Sequence, residues 1–368
     1  MQKRSIQALS LLSSLASATV LMLPSSYAQA GAVIEIDDTR WLSIGAGLRT
    51  SFSAVEDAAP NGDDYSKDFE VENMRLYLGA QVHENIKLTF NTERDAGNDD
   101  GARVLDAIAQ FEFSDTFNVW IGRLLPPSDR SNLNGPFYLN TWDFPFVQAY
   151  PAEFAGRDDG VAVWGQTGGG KFKYQAGLFE GREGGPNDSD SLLFAGRLTY
   201  NFWDPEPGYY NSSTYYGDKD VLAVGVVLMT QADGAGTSAE DQGDFTGFSV
   251  DFLFEKKLSG GGVPTFEAAF YDYDLDDVAD PVLTEGSSFF VLGSYLFPGK
   301  VGVGQLQPHA RYQNFDRDQG GERERIELGL SYVMNGHNAR LTGILANEDP
   351  GDDGDSFNLF KVGVQLQI

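Results

Sequence analysis

The feature that most constrains this chain is a two-residue alternation of apolar and polar side chains, repeated from one end to the other. In Asn73–Val82, Met74, Leu76, Leu78, Ala80 and Val82 share one face, and Arg75, Tyr77, Gly79 and Gln81 share the other. The pattern resumes after His83-Glu84-Asn85, where Ile86, Leu88 and Phe90 oppose Lys87, Thr89 and Asn91. It returns in Ile326, Leu328 and Leu330 against Arg325, Glu327 and Gly329, and in Phe360, Val362, Val364 and Leu366 against Lys361, Gln365 and Gln367. Side chains in a strand point alternately to its two faces, so each segment reads as a strand with one apolar and one polar side.

About sixteen such strands can be placed. They start near Trp41, Phe69, Ile86, Arg103, Phe117, Gly160, Phe172, Leu192, Lys219, Phe245, Val263, Ser288, Val301, Glu322, Asn338 and Ser356. The connections alternate between short turns and long loops. Ser114–Thr116 and Asn335–His337 are short; Glu56–Asp68, Pro126–Asp159, Ala232–Asp244 and Asn347–Asp355 are long. Short turns at one end and long loops at the other are the mark of an outer-membrane barrel, as is a polar face carrying charges opposite large apolar residues. A soluble sandwich also alternates, but without this parity over so many strands. A closed barrel pairs every backbone group and leaves no edge in lipid. The expected fold is therefore an all-β, transmembrane, antiparallel up-and-down barrel of about 16 strands. One segment breaks the parity: Asp204–Asp218 is long where a short turn is due, and the pattern offers no reason for it.

The first thirty residues are of another kind. Lys3 and Arg4 precede an apolar stretch from Ile6 to Leu23, followed by Pro24 and Ala28-Gln29-Ala30. A basic start, a short apolar core and an A-x-A site form a secretory signal peptide. The expected organisation is a leader over 1–30 and one barrel domain over 31–368. Losing Lys3 and Arg4 takes the net charge from −28 to −30. Nucleic acid is thereby excluded as a partner, since a phosphate backbone needs a basic footprint. The chain has no cysteine, so its stability rests on something other than disulfides. Aromatic residues near strand ends (Trp41, Tyr200, Phe202, Trp203, Phe297, Tyr332) suit the interfacial girdles of a barrel.

The longest loop, Pro126–Asp159, carries Phe137, Tyr138, Trp142, Phe144, Phe146, Tyr150 and Phe154. That is too aromatic for a solvated hairpin, so the loop is expected to fold inward and narrow the lumen. The inward-facing charges are mixed. Arg49, Arg75, Lys87, Lys173, Arg197, Arg311, Arg325, Arg340 and Lys361 face Glu93, Asp106, Glu112, Asp251 and Glu327. With Arg130 in the loop, the candidates for lining or constricting a pore are Arg49, Arg75, Asp106, Arg130, Arg197, Arg311, Arg325 and Arg340. Charges of both signs on such a wall order water and ions across it.

Little in the sequence supports catalysis. His309 with Ser331 is the one conceivable nucleophile and base, and no Cys/His metal spacing, phosphate loop or dinucleotide fingerprint occurs. No enzyme activity, cofactor or resident metal is expected. Acidic pairs such as Asp63-Asp64, Asp99-Asp100, Asp276-Asp277 and Asp352-Asp353 fall in the long loops. They suit a hydrated surface bridged by divalent cations to lipopolysaccharide better than a dedicated calcium site, for they lack the spacing of an EF-hand.

The stretch Val71–Arg182 resembles the phosphate-selective porin O/P family of outer-membrane channels. The resemblance lies in ENMRLYLGAQV with Arg75, VLDAIAQFEF with Asp106, VWIGRLLPPSD with Gly122 and Arg123, PAEFAGRDDGVAVWG with Arg157, and KYQAGLFEGR. It implies a sixteen-stranded barrel in the outer membrane of a Gram-negative bacterium, usually trimeric, with the loop after the fifth strand folded inward, and anions such as phosphate as solutes. The expected function is passive diffusion of small hydrophilic solutes or ions through a water-filled channel. The alternative is a non-conducting barrel that sheathes an electron-transfer protein or serves as a surface receptor.

Overall fold

The computed structural model describes residues 31–95, 101–148, 156–351 and 354–368. The expected leader over 1–30, Tyr150 and Phe154 of the long loop, and Asp99, Asp100, Asp352 and Asp353 of the acidic pairs lie outside these residues.

Sixteen antiparallel strands form a closed wall: β1 Trp41–Val55, β2 Asp68–His83, β3 Ile86–Asp95, β4 Arg103–Ser114, β5 Phe117–Leu124, β6 Asp158–Thr167, β7 Phe172–Phe179, β8 Leu193–Asn201, β9 Val221–Ser238, β10 Asp241–Glu255, β11 Val263–Asp274, β12 Gly286–Leu296, β13 Gly304–Arg317, β14 Glu322–Asn335, β15 Ala339–Asp349 and β16 Phe357–Gln367. Each pairs with its neighbours in sequence, and β16 returns to β1, with Gln367 opposite Gly47. Two short pieces complete the sheet. Lys300–Val301 pairs with the start of β13. Ala32–Glu35 pairs with β1 from Ala32↔Ile44 to Glu35↔Trp41, directly in line with the end of β16, where Ile368 exchanges hydrogen bonds with Ala46.

The alternation read from the sequence maps onto the two faces. On β14, Leu328 is 60% exposed while Glu327 beside it is 1% exposed. Leu42, Ile44, Leu48, Met74, Leu76, Phe90, Leu345 and Phe360 are likewise exposed, a continuous apolar outside. The polar residues between them are buried inside the barrel. In water such an outside would be unfavourable. In lipid each Leu or Phe side chain contributes about 1.5–3 kcal/mol on leaving water. No helix among the described residues is long and apolar enough to cross a membrane; the strands do so.

Two expectations need correction. Ala232–Asp244 is not a long loop: β9 runs to Ser238 and β10 begins at Asp241, joined by a tight turn. A bulge between Gln231 and Ala235 places Asp233 in left-handed backbone (φ 55°), and the hairpin continues past it. Strand pairing still satisfies the backbone there, but no lipid demands an apolar face, so the periodic signal disappears. The other correction is Trp41. It shares the inward face with Ser43, and its indole donates to Gln81 Oε1 at 3.2 Å, so it is not part of an outer girdle. Tyr200, Phe202 and Phe297 do face outward, with the Tyr200 and Phe202 rings 4.8 Å apart.

Candidate functional site

The chain leaves β5 at Pro126-Pro127 and turns into the barrel. Asp129 accepts from the Ser131 backbone N–H at 3.1 Å and caps a short helix, α1 Arg130–Asn134. Gly135, in left-handed backbone, ends it, and a 3-10 turn follows over Pro136–Tyr138. Nearly every residue from 125 to 142 is buried. Irregular backbone inside a membrane barrel must find hydrogen-bond partners outside its own segment. Here the wall arginines supply them. Arg49 donates to Trp142 O, Arg197 to Ser128 O at 3.0 Å, Arg311 to Asp143 O at 2.8 Å, and Arg340 to Leu139 O at 2.7 Å and Thr141 O at 3.1 Å.

The loop's rings sit in sockets left by missing side chains. A Cβ on Gly363 of β16 would lie 2.4 Å from the Trp142 ring, and one on Gly47 of β1 would lie 2.7 Å from Phe137. The Arg49 guanidinium covers the Trp142 ring at 4.1 Å.

The segment between β8 and β9, anomalous in the sequence, also enters the lumen, from the short-turn end. Glu206, Tyr209, Asn211, Ser212, Ser213 and Thr214 are buried. Glu255 of β10 gathers this segment: it accepts from Thr214 Oγ1 at 2.6 Å, Tyr215 N at 3.0 Å and Gly217 N at 2.9 Å. The two inward segments then meet. Tyr209 donates its hydroxyl to Leu125 O at 2.8 Å, and Ser213 N donates to Tyr138 O at 3.2 Å. Arg130 forks onto both oxygens of Glu206 at 2.7 Å and adds Ser212 O at 2.8 Å. Burial alone would raise the Glu206 carboxyl, but Arg130 outweighs it and holds the group at about 2. The sequence carried a usable signal for this segment. Tyr209, Tyr210, Tyr215 and Tyr216 make it as aromatic as the first inward loop, and the same reasoning would have buried it.

Beside these two segments runs a cavity of about 1120 Å³, walled largely by β1 to β6 and reaching the short-turn end. Arg75 and Asp106 line it. Arg75 grips Glu93 with two hydrogen bonds, 2.6 and 2.8 Å, and Asp106 accepts from Arg157 at 3.0 Å and Asn91 at 2.8 Å. The other sequence candidates are elsewhere. Arg49, Arg197, Arg311 and Arg340 hold the first inward loop. Arg130 is sealed between the two segments. Arg325 shares Glu348 with Arg323 beside the Phe146 ring. Several of these charges meet carboxylates across the wall: Arg311 lies opposite Glu327, and Arg197 reaches Asp251 two strands away, over Gly225, where a Cβ would lie 2.2 Å from the guanidinium.

His309 and Ser331 do not form a pair. The His309 ring contacts Thr141 Oγ1 at 3.3 Å, whereas Ser331 shares a hydrogen bond with Thr342 at 3.0 Å. His337, expected in a short turn, is half-buried between the rings of Tyr138 and Tyr216, with Nε2 2.9 Å from Thr214 O. Burial, with Arg340 nearby, pushes its imidazole down to about 3, so it is neutral near pH 7. Several loop aspartates cap their own turns. Asp280 accepts from Val282 N and Leu283 N, both at 2.8 Å. Among the described residues no group of three or more His, Asp or Glu is placed to hold a metal ion.

No family model matches the chain, and no curated protein matches it. Solved structures do. The anion-selective porin from Comamonas acidovorans is 15% identical over 89% of this chain and all of its own length, with a TM-score of 0.63. OmpF of Salmonella typhi, solved in complex with daunomycin, is 11% identical, covers 92% of this chain and all of its own, and gives 0.60. OmpT, an outer-membrane protein of Vibrio cholerae, is 15% identical, covers 92% of this chain and all of its own, and gives 0.57. At such identities the likeness establishes the fold, which is the sixteen-stranded barrel of porins.

Proposed function

We propose that the chain is a porin of the Gram-negative outer membrane, a passive channel for small hydrophilic solutes or ions. The observation that carries this reading is a closed wall, apolar outside, around a polar cavity of about 1120 Å³ that two inward segments narrow without filling. Lipid accepts the outside and water the inside, and solutes move down their gradient with no cofactor. Export through a leader over 1–30, assembly as a homotrimer, and contact of the acidic long loops with lipopolysaccharide through divalent cations belong to the same reading. A trimeric form of Vibrio cholerae OmpT is consistent with the assembly.

The resemblance to the O/P channels would make phosphate the solute. The placement of the arginines does not favour that, because four of the wall arginines expected to line the pore are spent on loop carbonyls. Planar-bilayer recording of the purified full chain tests the reading. Discrete conductance steps are expected, in groups of three for a trimer. A folded barrel that passes no current would favour the sheath or receptor instead.

A further inference from the structure

Resting on the channel reading, we infer that the cavity along β1 to β6 selects for cations, not for phosphate or other anions. The charged residues that line it are Arg75, Lys87 and Arg157 against Glu35, Glu84, Asp106, Glu112 and Asp115. Each base is matched by a carboxylate: Arg75 with Glu93, Lys87 with Glu112 at 2.6 Å, and Arg157 with Asp106. Among the described residues Glu35, Glu84 and Asp115 have no basic partner. The surplus is therefore negative and sits toward the short-turn mouth.

Three further observations agree. Arg49, Arg197, Arg311 and Arg340 are aimed at the backbone of the first inward loop, which covers them from the cavity. Arg130 is neutralised by Glu206 between the two segments. Asn91 and Asn134, both lining the cavity and more than nine-tenths buried, spend their amide N–H groups on Asp106 and Ser213; their side-chain oxygens are left without a donor. Buried carbonyl oxygens without a donor favour a nearby cation over an anion through their dipoles. The indole N–H groups of Trp120 and Trp164 are also unpartnered, but they are neutral and pack in a ring cluster with Tyr209. A narrow polar passage between low-dielectric walls concentrates the effect of its net charge. A passing anion would meet repulsion at the mouth and, among the described lining residues, only guanidinium groups already paired with carboxylates.

The test is the reversal potential of the full chain in a planar bilayer under a potassium chloride gradient. Several-fold preference for potassium over chloride is expected, with no reduction of current on adding inorganic phosphate. The triple variant Glu84→Gln, Glu112→Gln, Asp115→Asn alters exposed or half-exposed positions at the mouth and should move the permeability ratio toward unity. Chloride preference in the unmodified protein, block by phosphate, or a triple variant with an unchanged ratio would overturn the inference while the channel reading stands. Absence of any current from a folded barrel would overturn both.

Discussion

Arg130 and Glu206, 76 residues apart in sequence, form a two-pronged ion pair with both hydrogen bonds at 2.7 Å and both side chains almost wholly buried. Among the described residues it is the one charged contact that ties the loop after β5 to the segment after β8. A pair this buried adds little net stability over an apolar alternative, but losing one partner leaves the other charge stranded. Glu206→Gln should therefore cost about 3–5 kcal/mol at neutral pH. Thermal unfolding of the two proteins, followed by circular dichroism, measures it.

The same pair sets an acid limit. Glu206 lies near 2 in the folded barrel against an ordinary 4.5. A depressed carboxyl gives stability that is whole above the unfolded value and is lost as pH falls from about 4.5 through about 2. His337 acts in the same direction from a higher pH, because its folded value near 3 lies below the ordinary 6.5. Stability should decline as pH falls below 6.5, and His337→Gln should flatten the upper part of that decline. Melting profiles from pH 7 to 3 decide it.

The segment between β8 and β9 occupies lumen that would otherwise be open. Replacing residues 207–216 with a two-residue glycine turn should raise single-channel conductance and admit larger neutral solutes. If the conductance stays as it was, the segment is not in the path.

Gly363 is a socket for Trp142. Gly363→Ala forces a Cβ within 2.4 Å of the ring and should cost about 1–3 kcal/mol, with a red shift in Trp142 emission as the ring is displaced. Gly343→Ala on the neighbouring strand meets open space and serves as the control.

Arg75 neutralises Glu93 at the cavity wall. Arg75→Ala should leave that carboxylate uncompensated and shift the reversal potential further toward cation preference. An unchanged reversal potential would remove Arg75 and Glu93 from the conducting path.

The wall was almost fully legible in the sequence, because lipid outside and water inside enforce a period of two on every strand. All sixteen expected strand starts fall within a few residues of the observed ones. Legibility failed where neither solvent dictates the pattern. The β9–β10 hairpin beyond the bulge at Asp233 has no lipid to face. The inward segment at 204–218 packs against side chains from distant strands, which no local period reports. The charges were placed on the correct face, and the opposition of Arg311 and Glu327 follows from strand neighbours. Their task was not legible. Whether Arg340 points at solute or at Leu139 O depends on a loop some 200 residues away in sequence.

The seam between β1 and β16 has a consequence in time. On its β16 side Gly47 finds its partner in Gln367, 320 positions later in the sequence. Contacts so distant in sequence are slow to form, since loop-closure entropy is spent before pairing returns it. β16, the last of the sixteen strands in sequence order, completes the cylinder, so no closed intermediate can precede it. Until that moment both outer strands expose unpaired edges that invite association with other chains. A polypeptide of this design should need an escort between its synthesis and its bilayer, and its rate of insertion should fall sharply when β16 is shortened.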